Sequence, residues 1–434
     1  MTQTFQKNQP KVVNAWAMYD WANSVFSLVI VSSVFPAYYQ GVIQDTNNGS
    51  DLVTFLGFTL KSGVLFEYTI SASFLIIALL SPMLTAVADY GGRKKTFMQF
   101  FCILGALGCG SLFFFDSVQD LPIGIIGFMA GLIGFAGSIV FNNSYLPDIV
   151  TEDQFDRVSA KGFSLGYIGS VLLLIVSLAL ILKGEAFGIS GGLASRIVFL
   201  VTGVWWVGFA QYSFAYMPRN VYQRKAAGNW LLNGFQELGK VWEQVKGRPL
   251  LKKFLIAYFF FNMGVQTVIY VAALFGEEEL NLDTTKLILT ILVIQLVAIV
   301  GAWGFSRLSK RYGNIKALVV AVVIWIGICI GAYFTYTETM FYILAAVVGS
   351  VLGGIQSLSR ATYAKLMPDE TPDTASFFSF YDVTEKVSIV LGTLVYGILH
   401  QQYSMRISIL ALMVFFIIGL LFLVRIPSKN TYED

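Results

Sequence analysis

The chain has 434 residues, 56% of them hydrophobic and 13% charged, with a net charge of +3 and a single histidine, His400. A soluble domain carries about 25% charged residues, so this composition calls for lipid rather than water as the solvent of most side chains. The near-neutral balance argues against a nucleic-acid partner. One histidine argues against a His-ligated metal or haem, and three cysteines set in apolar runs (Cys102, Cys109, Cys329) argue against a disulfide framework.

The polar start, MTQTFQKNQPK, leads straight into an apolar run with no cleavable signal pattern. Runs long enough to cross a bilayer as helices, about 20 residues each, fall near 14–40, 66–88, 97–116, 121–146, 162–182, 195–217, 253–276, 286–306, 316–336, 340–366, 375–399 and 404–425. The first opens on "YDWANSVF", where Asp20, Asn23, Ser24 and Ser27 fall at i, i+3, i+4 and i+7 and form one polar stripe on an apolar helix. "ADYGGRKK" (88–95) separates spans 2 and 3. Span 4 carries glycines at 127, 131, 134 and 137, suited to close helix contact, then Asn142 and Asn143, and it ends on "LPD". "GFSLG" (162–166) matches a serine-hydrolase pattern but opens an apolar helix and lacks a histidine on the same membrane face, so it reads as packing. Span 5 adds Lys161, Ser164 and Tyr167.

Residues 218–252 form a cytoplasmic linker in which Leu231, Phe235, Leu238, Trp242 and Val245 recur at spacings of 3 and 4, predicting an amphipathic helix that lies on the membrane face or braces two halves. Span 7 carries Asn262, Gln266 and Tyr270; "KRYGNIK" (310–316) separates spans 8 and 9; span 10 carries Gln356 and Arg360 and ends on "MPD"; span 11 carries Asp382, Glu385 and Lys386. Spans 3, 6, 9 and 12 hold no interior charge, as expected of peripheral supports.

With both termini inside, 23 of the 29 Lys and Arg fall on inner segments and five on outer loops, while Lys386 lies within a span. That bias predicts cytoplasmic termini. Gly92 and Gly313 lie 221 residues apart, as do Pro147 and Pro368. Two landmarks at one offset predict an all-α polytopic protein of two pseudo-symmetric six-helix halves, residues 1–217 and 253–434, an arrangement typical of secondary transporters. No nucleotide-binding loop is present, so a solute or proton gradient supplies the energy.

"ADYGGRKK" resembles the loop 2–3 signature of the major facilitator superfamily, roughly G-x-x-x-D-x-x-G-R-K. Asp89, Gly92, Arg93 and Lys94 match, and Thr85 replaces the leading glycine. "YDWANSVF", "GGIQSLSRATYAKLMP" and "SFFSFYDVTEKVSIVLG" resemble the branch holding the fungal vacuolar (autophagy-related) amino-acid effluxers and their bacterial relatives, over nearly the whole chain. The resemblance implies a transporter rather than an enzyme, without cofactor, that moves a small solute by alternating access. It also implies placement in a bacterial cytoplasmic membrane as a monomer. An amino acid is the expected solute, and a sugar, peptide or drug the alternative.

An ionisable group at mid-membrane costs about 2.5–3.5 kcal/mol on insertion scales, so the polar groups within spans should surround a cavity, a partner or a ligand. Asp20, Asn23, Ser27, Asn142, Tyr167, Asn262, Gln266, Tyr270, Gln356, Arg360, Asp382, Glu385 and Lys386 are the candidates for a substrate and coupling cavity. Two readings stay open for Asp20 and Arg360: contact with substrate or proton, or closure of an inner gate. Asp382 and Lys386 are spaced to neutralise each other, which leaves Glu385 without an evident partner and points it to coupling or substrate contact. At the helix ends, Asp89, Gly92, Arg93, Asp148, Arg311 and Asp369 are candidates for a conformational latch. Asp89 is expected at a helix N-terminus, Arg93 on Asp148, and Lys310 or Arg311 on Asp369.

Overall fold

The computed structural model describes residues 6–219, 221–222, 230–282, 284–369 and 371–427. Twelve helices are long and apolar enough to cross a membrane: span 1 Pro10–Thr46, span 2 Ser62–Gly91, span 3 Lys94–Phe114, span 4 Val118–Ile149, span 5 Glu152–Phe187, span 6 Gly191–Tyr216, span 7 Pro249–Ala272, span 8 Lys286–Tyr312, span 9 Asn314–Tyr333, span 10 Glu338–Leu366, span 11 Thr374–Gln402 and span 12 Met405–Leu423. Several outrun the predicted apolar runs, because the backbone keeps its helical hydrogen bonds after the chain leaves hydrocarbon and hydropathy detects only the lipid-bound part. Span 1 is interrupted: residues Phe26–Val34, Ser27 among them, form a π-helical segment, in which the Ser32 hydroxyl donates to the Ser27 carbonyl at 3.0 Å.

Each six-helix half repeats one packing scheme. Span 1 packs on spans 5 and 6, and span 3 on spans 4 and 6; span 7 packs on spans 11 and 12, and span 9 on spans 10 and 12. The halves meet where spans 2 and 4 lie on span 11, and span 5 on spans 8 and 10. Spans 3, 6, 9 and 12 thus lie behind, which explains why they carry no interior charge. Glycine lets neighbouring backbones touch: a Cβ on Gly134 would meet the backbone of Gly105 in span 3, and one on Gly353 the Ala298 carbonyl in span 8. Gly92 and Gly313, the two landmarks of the repeat, both turn the chain with positive φ, 62° and 87°, which glycine adopts at little cost.

A second repeated device sits at the face opposite the termini. Arg196, early in span 6, reaches Asp116 at 2.7 Å and the Phe113 carbonyl at 3.5 Å, at the end of span 3. Arg406, early in span 12, reaches Glu279 at 2.7 Å and the Tyr333 carbonyl at 3.1 Å, at the end of span 9. Both place a cation against helix C-terminal carbonyls.

Two elements stand outside the spans. A two-stranded antiparallel hairpin, Leu52–Phe55 with Phe58–Lys61, links spans 1 and 2. Its turn residues Leu56 and Gly57 both have positive φ, as a two-residue hairpin turn demands; four-residue strands leave too short an alternation to read from the sequence. The linker helix, Trp230–Lys246, packs on span 2 and stacks Trp242 on Phe380 of span 11 at 5.4 Å, so it touches both halves. Val241 and Val245 are buried on its apolar face; the side chains of Leu231 and Phe235 lie outside the described residues.

Candidate functional site: a polar column between the halves

Polar side chains meet in three layers along the interface, starting at the face that carries the termini. In the first layer, Asp89 at the end of span 2 accepts from the Ser376 amide at 2.7 Å, the Ser376 hydroxyl at 2.8 Å and the Ala375 amide at 3.3 Å. Its negative charge therefore sits on the first turn of span 11, where free amides and the helix dipole favour it. Asp148 at the end of span 4 is buried against the Lys94 ammonium and takes further bonds from Thr374 at 3.3 Å and Tyr222 at 3.2 Å. Lys94 also reaches Thr374, so the Asp148 latch joins the halves. This corrects the expected Arg93–Asp148 pairing. The turn at Gly92 points Lys94, the first residue of span 3, at Asp148.

The second half of this layer also differs from expectation. Among the described residues neither Lys310 nor Arg311 pairs with Asp369. The contact there is made by Asp156, in the first turns of span 5. It accepts from Lys365 at 2.9 Å, Ser309 at 2.8 Å and Asn314 at 2.7 Å, all in the opposite half. Loop 8–9 thus grips span 5 as loop 2–3 grips span 11, with the acid moved to the gripped helix. Asp156 and Lys365 carried no sequence signal beyond that of an ordinary helix-end acid and an inner-face cation.

About one and a half turns deeper along span 10 than Lys365 lies Arg360. Its Nη1 donates to Asp20 Oδ2 at 3.2 Å and to Asn143 Oδ1 at 3.0 Å, its Nε to Ser159 Oγ at 2.9 Å, and its Nη2 to the Ser159 carbonyl at 2.9 Å. Asn142 holds the other Asp20 oxygen at 3.1 Å. The guanidinium lies between the rings of Trp16 and Phe163, 4.7 and 4.3 Å from their centroids. An arginine of the second half is thus enclosed by spans 1, 4 and 5 of the first. The side chains of Arg360 and Asp20 are only 4% and 9% exposed, and the pair is 340 residues apart in sequence. Ser159, unmarked by any motif, also donates to the Ser357 carbonyl at 2.8 Å.

Gly162 explains the start of "GFSLG". A Cβ there would collide with Asp20 Oδ2 and come within 2.9 Å of Arg360 Nη2 and 3.1 Å of the Trp16 ring. Gly162→Ala is therefore expected to push the pair apart, lowering stability by about 1–3 kcal/mol as overpacking does. A fall in the melting temperature of the purified protein measures this, and unchanged melting would contradict the enclosure.

The third layer begins where the Tyr167 hydroxyl donates to Gln356 across the interface at 2.6 Å. In span 11, Lys386 lies 3.0 Å from Asp382 and 3.6 Å from Glu385, and 5.7 Å from the Phe74 ring of span 2 in the other half. Gln266 donates to Glu385 at 3.5 Å. Glu385 therefore shares Lys386 with Asp382 instead of standing unpaired, because the long lysine stem reaches both neighbours. Two carboxylates face one ammonium, and Asp382 Oδ2 is buried without a hydrogen-bond partner. Tyr270 is 40% exposed, the most open of the predicted cavity residues.

Two candidates are not in this column. Asn23 donates to Ser138 of span 4 at 2.8 Å and is fully buried inside the first half. Asn262 donates to Ser388 of span 11 at 2.6 Å inside the second. At about 100° per residue, Asn23 sits about 60° to one side of Asp20 and Ser24 about 40° to the other, so a stripe of i, i+3, i+4 spans two packing surfaces. Ser27, in the π-helical segment, is half-buried.

Twelve spans in two halves, with buried polar groups aligned between them, define a membrane transporter of the major facilitator fold. Solved structures agree. The human organic anion transporter TETRAN superposes with TM-score 0.73 at 11% identity, covering 96% of this chain and all of that one. The fucose:proton symporter of E. coli superposes with TM-score 0.70 at 13% identity, covering 96% and 98%. The chain belongs to the family described as vacuole effluxer Atg22-like, whose model matches residues 8–156 and 151–434. It is 33% identical to the MFS-type transporter YxiO of Bacillus subtilis, across 98% of this chain and 97% of that one. It is 25% identical to Autophagy-related protein 22-2 of Aspergillus oryzae, across 82% and 73%.

Proposed function

We propose that the protein is a secondary carrier for a small zwitterion of the amino-acid class, with its termini in the cytoplasm of a bacterium, and that a proton rides on its third polar layer. The observation that carries this is the Asp382–Lys386–Glu385 cluster, where two carboxylates share one cation and one buried carboxylate oxygen lacks a partner. Such a cluster is short of one positive charge. A proton or the ammonium of a zwitterion supplies it, and Lys386, once released, meets a carboxylate.

Arg360 and Asp20 belong to the gate in this reading. Four of the five Arg360 N–H groups are already bound to protein, which leaves little for a substrate. With the first two layers joined, the termini face is shut. Rocking of the residue 1–217 and 253–434 halves about the 218–252 linker breaks these layers and opens it. The effluxer name of the family supports export, and the cytoplasmic excess of Lys and Arg supports the orientation.

The test uses proteoliposomes, screened first with the twenty amino acids. Glu385→Gln is expected to keep solute counterflow, which needs no net proton movement, and to lose accumulation driven by a pH gradient. Wild-type uptake that ignores the gradient would remove the proton; counterflow with a sugar and with none of the amino acids would remove the solute class.

A further inference from the structure

The cations of the two repeated loops are used differently. In the first half, Lys94 and Lys95 are buried, on Asp148 and on the Met217 carbonyl. In the second, Arg307, Lys310, Arg311 and Lys316 all stand exposed, and among the described residues none of the four forms a salt bridge or hydrogen bond to a side chain. The helix dipole offers roughly half an elementary charge at the end of span 8, too little for four cations within ten residues, and Arg307 and Arg311 repel each other at i and i+4.

These cations continue a surface stripe. Leu289, Leu296, Val300 and Trp303 are 49%, 51%, 71% and 54% exposed and recur at steps of seven, four and three. Two further steps of four reach Arg307 and Arg311, with Lys310 beside them. One face of span 8 is thus apolar along its length, aromatic at residue 303 and cationic from 307. The Arg307 guanidinium lies 4.4 Å over the Trp303 ring, and that of Arg311 5.2 Å over the ring of Tyr312. Each ring holds a guanidinium at one depth, as interfacial aromatics do.

We propose that this face is a docking site for an anionic phospholipid, with acyl chain along Leu289–Trp303 and the headgroup phosphate on Arg307, Lys310 and Arg311. Guanidinium groups match phosphate oxygens in pairs, and the apolar stripe supplies what a free anion would not use. The site adjoins the gate: Ser309 and Asn314, interleaved with these cations, are the residues that hold Asp156 of span 5. A bound headgroup rests on the loop that grips the other half.

The test is native mass spectrometry of the full chain in detergent with equimolar phosphatidylglycerol and phosphatidylcholine. Wild type is expected to retain phosphatidylglycerol selectively. The triple variant Arg307→Gln, Lys310→Gln, Arg311→Gln is expected to lose about five-fold in preference per removed cation, with unchanged melting because all three are exposed. A control removing the same charge elsewhere, Arg248→Gln, Lys252→Gln, Lys253→Gln, keeps the preference. Equal loss in both triples, or no loss in the first, would overturn the assignment. So would displacement of the lipid by about 10 mM inorganic phosphate, a concentration that leaves surface charges largely unscreened.

Discussion

Arg360→Ala is expected to open the termini face and to abolish coupled transport. In the closed state the substitution leaves Asp20 enclosed by spans 1, 4 and 5 with its charge uncompensated, and strips Asn143 and Ser159 of their donor. Removing one partner of a buried pair costs about 3–5 kcal/mol. That cost falls on the closed state, since Asp20 is rehydrated when the halves part, so the equilibrium shifts about a hundred-fold or more at about 1.4 kcal/mol per factor of ten. Ser357→Cys provides the readout: its position is fully buried at the interface, and a thiol there should be inert toward a soluble maleimide in an otherwise wild-type protein and reactive beside Arg360→Ala. The double replacement Asp20→Asn, Arg360→Met removes both charges and should recover much of the melting temperature without restoring coupling. If the thiol introduced by Ser357→Cys stays protected in the Arg360→Ala protein, the gate is refuted.

Lys386→Met is expected to have an effect of similar size on the second half. The Asp382 and Lys386 side chains are 4% and 7% exposed, 3.0 Å apart, so loss of the ammonium leaves a buried carboxylate at a cost of about 3–5 kcal/mol. Glu385, at 23% side-chain exposure, is better hydrated and adds less. Melting should fall sharply for Lys386→Met and recover in Asp382→Asn, Lys386→Met. Counterflow should stay absent in the recovered double variant, because Lys386 also meets the solute. A single variant that melts like wild type would show that the cluster is not a closed charge system.

Several parts of this architecture are legible in the amino-acid sequence. The twelve apolar runs, the 221-residue offset and the i, i+4 pair of Asp382 and Lys386 all lie within short stretches of chain or repeat at a constant interval, and the structure contains each of them. Local geometry alone decides such features. The latch is legible as a set of helix-end charges but not as pairs: Lys94 replaces Arg93 as the partner of Asp148, and Asp156 with Lys365 replaces the contact of Lys310 or Arg311 with Asp369. One residue turns the direction of a side chain by about 100°, so neighbouring cations on one loop address different partners. Asn23 and Asn262 show the same effect on spans 1 and 7, where polar stripes wide enough to face a cavity also face a neighbouring helix.

Composition and order along the chain are enough to assign the solvent, the number of crossings, the duplication and the positions at which hydrocarbon would have to admit a charge. Each of those follows from the transfer cost of residues read along the chain. Which charges on different spans meet was set by the fold: the Asp382–Lys386 pair follows from spacing along one helix, the Asp20–Arg360 pair does not. Asp20 could be satisfied by any cation the fold brought to it, and the choice of Arg360, 340 residues away, is made by two halves closing on each other, with Gly162 leaving room for the guanidinium and Trp16 and Phe163 holding it in place.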